Sequence, residues 1–369
     1  MTDRVTAASP ERAAREDFPA LDALRGIAAM AVLAYHLAMP APFRFANGYL
    51  AVDLFFLLSG FVIAHAYGAR LTTGDMGFVT FLKVRFIRLW PLYAIATVAS
   101  SAVSLAAAVV HDGAASSATG LVLIRFAEGL FFLPDLFSNG AQLYPFVTVA
   151  WSLFYEIVAN LLYAARPAWW RPARLWPLIV ASFAGAFAYA LITGSWPAGW
   201  LASEALGAIV RTLASFFTGV LMHRFRGEIV RRLPRVHPWI LLLVLIAALG
   251  APIEHPVYSL AFCALVSPLL VAFGIGAQRS RHDDIHRWLG LMSYPIYILQ
   301  NPAGMVGASI THFTAIAPRI INPILMGALI VASPLIVRWV DVPIRQWLSR
   351  KLLARPRREA TALNEEAAP

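Results

Sequence analysis

The sequence predicts an all-α fold: a polytopic membrane protein with about ten transmembrane helices and one re-entrant segment. Three observations lead there. Hydrophobic residues make up 59% of the 369-residue chain and charged residues 14%, at a mean hydropathy of +0.67, whereas soluble domains are about one quarter charged. Apolar runs of roughly 20 residues recur, the length a helix needs to cross hydrocarbon about 30 Å thick. Trp and Tyr, 11 of each, gather near the ends of these runs, as at Trp169, Trp170, Trp196, Trp200, Trp239, Trp339 and Trp347. An interfacial belt places them there.

The spans are placed at about 20–39, 49–68, 83–110, 146–165, 175–193, 203–222, 238–252, 256–276, 288–308 and 320–342. The first run contains Arg25 and His36 and follows a polar segment of mixed charge, which does not read as a signal peptide, so the first helix is expected to be retained. Basic residues crowd the N-terminal segment, Arg70 to Lys83, Arg166 to Arg174, Arg224 to Arg235, Arg279 to Arg287 and the tail from Arg350 to Arg358. The intervening connections hold little beyond Arg44 and Arg319. All the rich loops share one side if both termini are cytoplasmic. The chain then divides into a cytoplasmic segment 1–19, a membrane domain 20–347 and a tail 348–369, short and expected to be disordered.

Parity adds one constraint. Span 83–110 runs outward and 146–165 runs inward, because Arg166, Arg171 and Arg174 follow it. No full crossing fits between them. The apolar stretch 119–137 is therefore expected to be re-entrant, covered by protein where its backbone is unpaired.

The net charge of +10 fits inside loops and anionic lipid headgroups, so no nucleic-acid partner is expected. Cys263 is the only cysteine, which excludes an intramolecular disulfide and a cysteine zinc cluster. No metal is assigned.

Ionisable residues within apolar spans are costly and are functional candidates. On the first helix His36 follows Arg25 by eleven residues, about 16 Å along the axis and nearly on the same face. The pair lines one path, or else Arg25 snorkels and His36 is a hydrogen-bonded core residue. On the second helix Asp53 is an interfacial cap or the partner of a buried cation, and Ser59-Gly60 forms a small patch for close helix approach. Arg85 and Arg88 share a helix face at the end where Arg25 lies; they either signal the cytoplasmic side or grip phosphate through forked hydrogen bonds. Trp151 and Glu156 open the helix after the re-entrant stretch; Glu156 pairs with Arg125 or acts on a proton. The polar stripe Ser293, Tyr294, Tyr297, Gln300 and Asn301 lines a cavity or joins helices.

At these residues the chain resembles the acyltransferase 3 family of integral membrane acyltransferases. Leu21-Asp22-Ala-Leu-Arg25-Gly26 with Tyr35-His36 is similar to the family's opening. Val52-Asp53-Leu-Phe55-Phe56-Leu-Leu-Ser59-Gly60-Phe61 is similar to its second helix, and Arg85-x-x-Arg88-Leu-x-Pro91-Leu-Tyr93 to its paired-arginine motif. Trp151-Ser152-Leu with Glu156, Ser293-Tyr294-x-x-Tyr297 and Asp341-x-Pro343-x-Arg345 complete the match. The chain departs from the family where Gln300 stands in place of a frequent His, Asp341 in place of Glu, and Tyr155-Glu156 in place of two adjacent acids. The Gln300 change puts a second-histidine mechanism in doubt.

The resemblance implies an enzyme of the bacterial inner membrane with both termini cytoplasmic. It would move an acyl group other than aminoacyl, commonly acetyl, from cytosolic acyl-CoA to a hydroxyl of a saccharide or lipid-linked glycan at the extracytoplasmic side, as in polysaccharide O-acetylation. It implies a catalytic role for His36, with donor binding by Arg25, Arg85 and Arg88. Glu156 is expected to assist His36, and Asp53, Ser59, Trp151, Tyr294 and Gln300 to support the site. Acyl-CoA is a co-substrate, with no tightly bound cofactor, and membrane lipids surround the chain. Many relatives carry an extracytoplasmic esterase-like domain, so a handover to such a domain is expected to involve another protein, and separate polysaccharide-assembly proteins are expected partners. Two other readings compete: a multi-pass transporter or exporter, which predicts inverted repeats that are not seen, and a scaffold, which predicts tolerance of neutral residues at Arg25 and His36 together.

The re-entrant expectation has a direct check. A membrane-impermeant thiol label applied from outside should reach cysteines introduced at both Ala114 and Ala141; opposite accessibility refutes it.

Overall fold

The computed structural model describes residues 17–114, 116–135 and 142–353. The parts of the sequence divisions that fall on 1–16 and 354–369 lie outside these residues. Within them the fold is all-helical, and an isolated bridge between Gln142 and Leu201 is the extended pairing present. The elements are α1 (Pro19–His36), α2 (Ala51–Thr73), α3 (Phe78–Asp112), α4 (Ser117–Leu130), α5 (Ala150–Ala165), α6 (Pro172–Thr193), α7 (Ala205–Arg224), α8 (Arg226–Arg232) and α9 (Pro238–Gly250). They continue with α10 (Pro256–Ile275), α11 (Asp283–Thr314) and α12 (Pro318–Leu352). α10 and α12 each contain one π turn, Phe262–Val266 and Val337–Asp341.

Six segments among the described residues are long and apolar enough to cross a membrane: Gly48–Thr73, Phe78–Val110, Pro172–Thr193, Ala202–Arg224, Pro256–Ile275 and Pro318–Leu352. α9 is apolar but shorter. α1, α5 and α11, which carry Arg25 and His36, Glu156, and Tyr294 and Tyr297, are not among these six.

Local sequence explains the ends. Proline opens α1, α6, α9, α10 and α12, where its missing N–H has no intrahelical partner to lose. Ser116 caps α4 by accepting the Thr119 N–H at 3.1 Å. Gly74 and Gly194 end α2 and α6 at φ +84° and +77°, a left-handed conformation that suits glycine.

Several helices outrun the spans read from hydropathy. α3 begins at Phe78 rather than 83, and α11 runs from Asp283 to Thr314 rather than 288–308. α12 continues through its π turn to Leu352, so the division expected at 348 falls inside a helix. Hydropathy marks where lipid ends, while backbone hydrogen bonding continues beyond it.

α1 lies at the centre, with α2, α9 and α11 packed on it. Its alanine-rich surface is buried almost throughout, and a Cβ on Gly26 would collide with Leu289 of α11. α2 and α7 approach as closely. A Cβ on Gly60 would strike the Phe216 carbonyl, and one on Gly219 the Leu57 carbonyl. Small residues permit such backbone contact.

One ion pair ties α2 to α7 in the middle of this packing. Arg211 bonds both Asp53 oxygens, at 2.7 to 2.9 Å, and donates to the carbonyls of Pro197 and Tyr49. Both side chains are 1% exposed. Asp53 is thus the partner of a buried cation, one of its two expected roles.

α4 runs back alongside α3. The Trp90 indole donates to Leu130 O at 2.9 Å and the Tyr93 hydroxyl to Gly129 O. The chain then turns, with Asp135 N–H on Leu143 O and Leu143 N–H on Trp200 O. Its 14 residues measure about 21 Å, less than a bilayer's hydrocarbon.

Asp53→Ala would strand the Arg211 charge, at a cost of about 3–5 kcal/mol. The expected outcome is a marked loss of folded protein in thermal unfolding of the detergent-solubilised chain. Asp53→Leu combined with Arg211→Met should recover most of it.

Candidate active site

Most of the expected site residues line three adjoining spaces in the bundle; Asp53, paired with Arg211, and Gln300 stand behind their walls. A broad vestibule of about 840 Å³ opens at one end, lined by Arg25, Arg85, Arg88, Arg345 and Arg350 with Asp17, Asp22 and His65. It narrows to a throat of about 130 Å³ lined by Phe55, Phe56, Ser59, Ser152, Glu156, Tyr294 and Tyr297, and again by the three arginines Arg25, Arg85 and Arg88. Beyond lies a second chamber of about 680 Å³ holding His36, Trp151, Trp196, Trp200, Glu204, Glu254 and His255. Val52 and Tyr297 line both the throat and the chamber, so they form the partition between them.

The vestibule end is electropositive. Arg25 bonds Asp22 at 3.1 Å and the Gly290 carbonyl at 3.2 Å. Arg88 lies 3.9 Å from Asp341 and over the Tyr294 ring. Asp341 also takes Arg345 at 3.2 Å, so the closing motif reaches the paired-arginine motif through this carboxylate. Asp341 is the last residue of the π turn in α12. The Nε atoms of Arg25 and Arg85 are buried without a hydrogen-bond partner among the described residues. Buried unpaired donors in a basic pocket suit an anionic ligand. At the mouth, Arg279 and Arg287 grip Asp17 at 2.8 Å; the Arg279 hydrogen bond first, then Arg287, holds its carboxyl below the usual range despite some burial.

Glu156 does not pair with Arg125. Its Oε1 accepts from Arg85 and from the Ser59 hydroxyl, each at 2.7 Å. Arg125 bonds Asp135 at 2.8 Å instead, in the connection that follows α4. Ser59 is thus more than a packing residue: Gly60 makes the close contact, and Ser59 helps hold Glu156. Glu156 lines the throat, whereas His36 lines the chamber, so the expected assistance of His36 by Glu156 has no direct contact behind it.

His36 ends α1 with its ring exposed to the chamber. Its Nδ1 lies 3.0 Å from the Val32 carbonyl. A carbonyl only accepts, so in the neutral ring Nδ1 carries the proton and Nε2 keeps its lone pair. Gln300 neighbours the imidazole and donates to Tyr297 O at 2.7 Å. The polar stripe of α11 performs both expected roles: Tyr294 and Tyr297 line the throat, while Asn301 bonds Thr148 at 3.1 Å. Tyr294 donates to the Leu89 carbonyl, and Tyr297 and Ser152 share a hydrogen bond of 2.7 Å. Trp151 lies under the Arg211 guanidinium and against Phe56.

The sequence did not single out Arg350, nor the chamber residues Trp196, Trp200, Glu254 and His255 as part of a site. Trp in a connection between spans reads equally as an interfacial belt, and a basic tail as the cytoplasmic signal.

Comparison with known proteins fits this geometry. The acyltransferase 3 family model, described as an acyltransferase domain, matches residues 18–340. The chain therefore belongs to that family, and it is a membrane acyltransferase. It is 27% identical over 327 residues to "Acyltransferase MdmB" of Streptomyces mycarofaciens, covering 79% of each chain. It is 41% identical over 158 residues to "Protein 2 in picA locus" of Rhizobium radiobacter, 40% of this chain and 82% of that one. No solved structure matches.

Because Glu156 holds Arg85 rather than His36, Glu156→Gln should raise KM for the acyl donor severalfold and lower kcat less. Steady-state kinetics check this; a kcat loss at unchanged donor KM would return Glu156 to the chemistry at His36.

Proposed function

We propose that this acyltransferase takes its acyl group, commonly acetyl, from cytosolic acyl-CoA and passes it to a hydroxyl of a saccharide or glycan at the extracytoplasmic side of the bacterial inner membrane. The observation that carries the reading is the series of three spaces: arginines at one end, a narrow throat, and a histidine base in the chamber beyond. Donor and acceptor would enter from opposite sides and meet near Tyr297.

Arg25, Arg85 and Arg88 would hold the phosphates of the donor, with Arg345 and Arg350 adding positive charge at the mouth. Arg suits this because its planar fork matches phosphate oxygens and it stays charged. The pantetheine arm would pass Phe55 and Phe56, placing the thioester at the partition. His36 Nε2, unprotonated in the neutral ring, would take the proton from the acceptor hydroxyl as oxygen attacks the thioester carbon. The C–S bond then breaks, CoA leaves as the thiol by taking the proton from the imidazolium, and an oxygen ester remains. A thioester is already activated, so positioning and one base suffice. A route in which His36 briefly carries the acyl group uses the same nitrogen.

The arrangement supports the topology of about ten spans with both termini cytoplasmic, which places the basic vestibule on the cytoplasmic side. α4 then enters from the other side beside α3 and returns, as a re-entrant segment. A transporter reading has less behind it, because the path narrows at paired aromatic and arginine side chains suited to a nucleotide donor.

His36→Ala should lower acyl transfer by at least about a hundredfold, the minimum typical of a lost general base, with membrane insertion unchanged. Near-normal modification of surface glycans, read by mass spectrometry, would refute the assignment. Arg85→Ala with Arg88→Ala should weaken acyl-CoA binding, and the loss should shrink with a dephosphorylated donor analogue, measured by titration of the purified protein.

A further inference from the structure

The two ends of the path differ in charge. The vestibule carries five arginines against two aspartates. The chamber around His36 has the opposite balance: Glu204 and Glu254 line it, and its cation, Arg211, is already neutralised by Asp53. Glu204 is fixed in place, because its Oε2 accepts the backbone N–H groups of Gly199 and Leu201 at 2.8 and 3.4 Å. Glu254 is exposed at the wall.

His255 supplies a complementary group. Its Nδ1 accepts the Val257 N–H at 3.2 Å, capping α10. In the neutral ring its Nε2 therefore carries the proton, the reverse of His36. The chamber thus holds one histidine poised as a base and another poised as a hydrogen-bond donor. Trp196 and Trp200 add broad apolar faces.

We infer that the chamber is an acceptor subsite selective for uncharged or cationic polyhydroxylated ligands, neutral sugars or amino sugars, and that Glu254 with Glu204 excludes anionic ones. This rests on the acyl-transfer reading and deepens it. Aromatic faces suit the C–H surface of a sugar ring. Carboxylates accept from its hydroxyls or an ammonium, and His255 donates to a ring or hydroxyl oxygen. A uronic acid or a phosphorylated sugar would bring like charge against two carboxylates, one of them fixed, and binding sites use such repulsion to reject wrong partners. The diphosphate of a lipid-linked glycan would then stay outside the chamber while its sugar enters.

The test uses the full-length protein in lipid nanodiscs and three probes of one shape: methyl glucoside, methyl glucosaminide and methyl glucuronide. Saturation-transfer NMR reads their binding. The glucoside and glucosaminide should bind at least about tenfold more tightly than the glucuronide, and Glu254→Lys should narrow or reverse the gap. Equal binding of the glucuronide, no binding of any probe, or an unchanged gap in Glu254→Lys would overturn the inference. Acetyl-CoA binding to the unaltered protein is measured in parallel. Its absence would defeat the acyl-transfer reading instead, so the two failures are told apart.

Discussion

An ionised side chain inside an apolar bundle must be held by an opposite charge or by a ligand, and that constraint organises this protein. The Asp53–Arg211 pair is its fullest expression, with both groups buried and every Arg211 bond directed at Asp53 or a backbone carbonyl. It joins α2 to α7 where glycines already bring the two backbones together. Nearer the vestibule the same rule is met less completely. Glu156 balances Arg85, and Asp341 is shared by Arg88 and Arg345. With Arg25 held by Asp22, four arginines meet three carboxylates here, and the Nε atoms of Arg25 and Arg85 are unmatched among the described residues. The Asp53–Arg211 pair is closed, whereas the vestibule cluster keeps unpaired donors.

The path takes its shape from the central helix. α1 carries Arg25 at the vestibule and His36 at the chamber, so one rigid element links the two spaces. α2 and α11 supply Val52 and Tyr297 at the partition. Tyr297 is steadied by Ser152 of α5, which sits one turn before Glu156. Four helices thus converge where the reaction would occur, and each contributes at the register of a motif.

Much of this was legible in the sequence. Charges inside apolar runs named Arg25, His36, Asp53, Arg85, Arg88 and Glu156, because lipid and packed apolar helices penalise each of them. The family resemblance added the roles. Partner choice was not legible: Glu156 was a candidate partner for Arg125, yet it faces Arg85, while Arg125 is taken by Asp135 in the connection after α4. The chamber walls escaped notice for a similar reason. Trp196, Trp200, Glu254 and His255 lie in connections, where polar and aromatic residues are expected anyway.

By itself the sequence determined that the chain is helical and belongs in a membrane, which helices carry charge, and which faces those charges share. Periodicity and hydropathy are local properties, and the bilayer enforces them residue by residue. The tertiary structure alone decided which charge meets which, that the motifs of α1, α2, α3, α5, α11 and α12 border adjoining spaces that share lining residues, and that the two end spaces have opposite electrostatic character. Those facts depend on the relative depth and rotation of helices far apart in the chain, set by glycine contacts, π turns and a short returning helix whose effects no local pattern records.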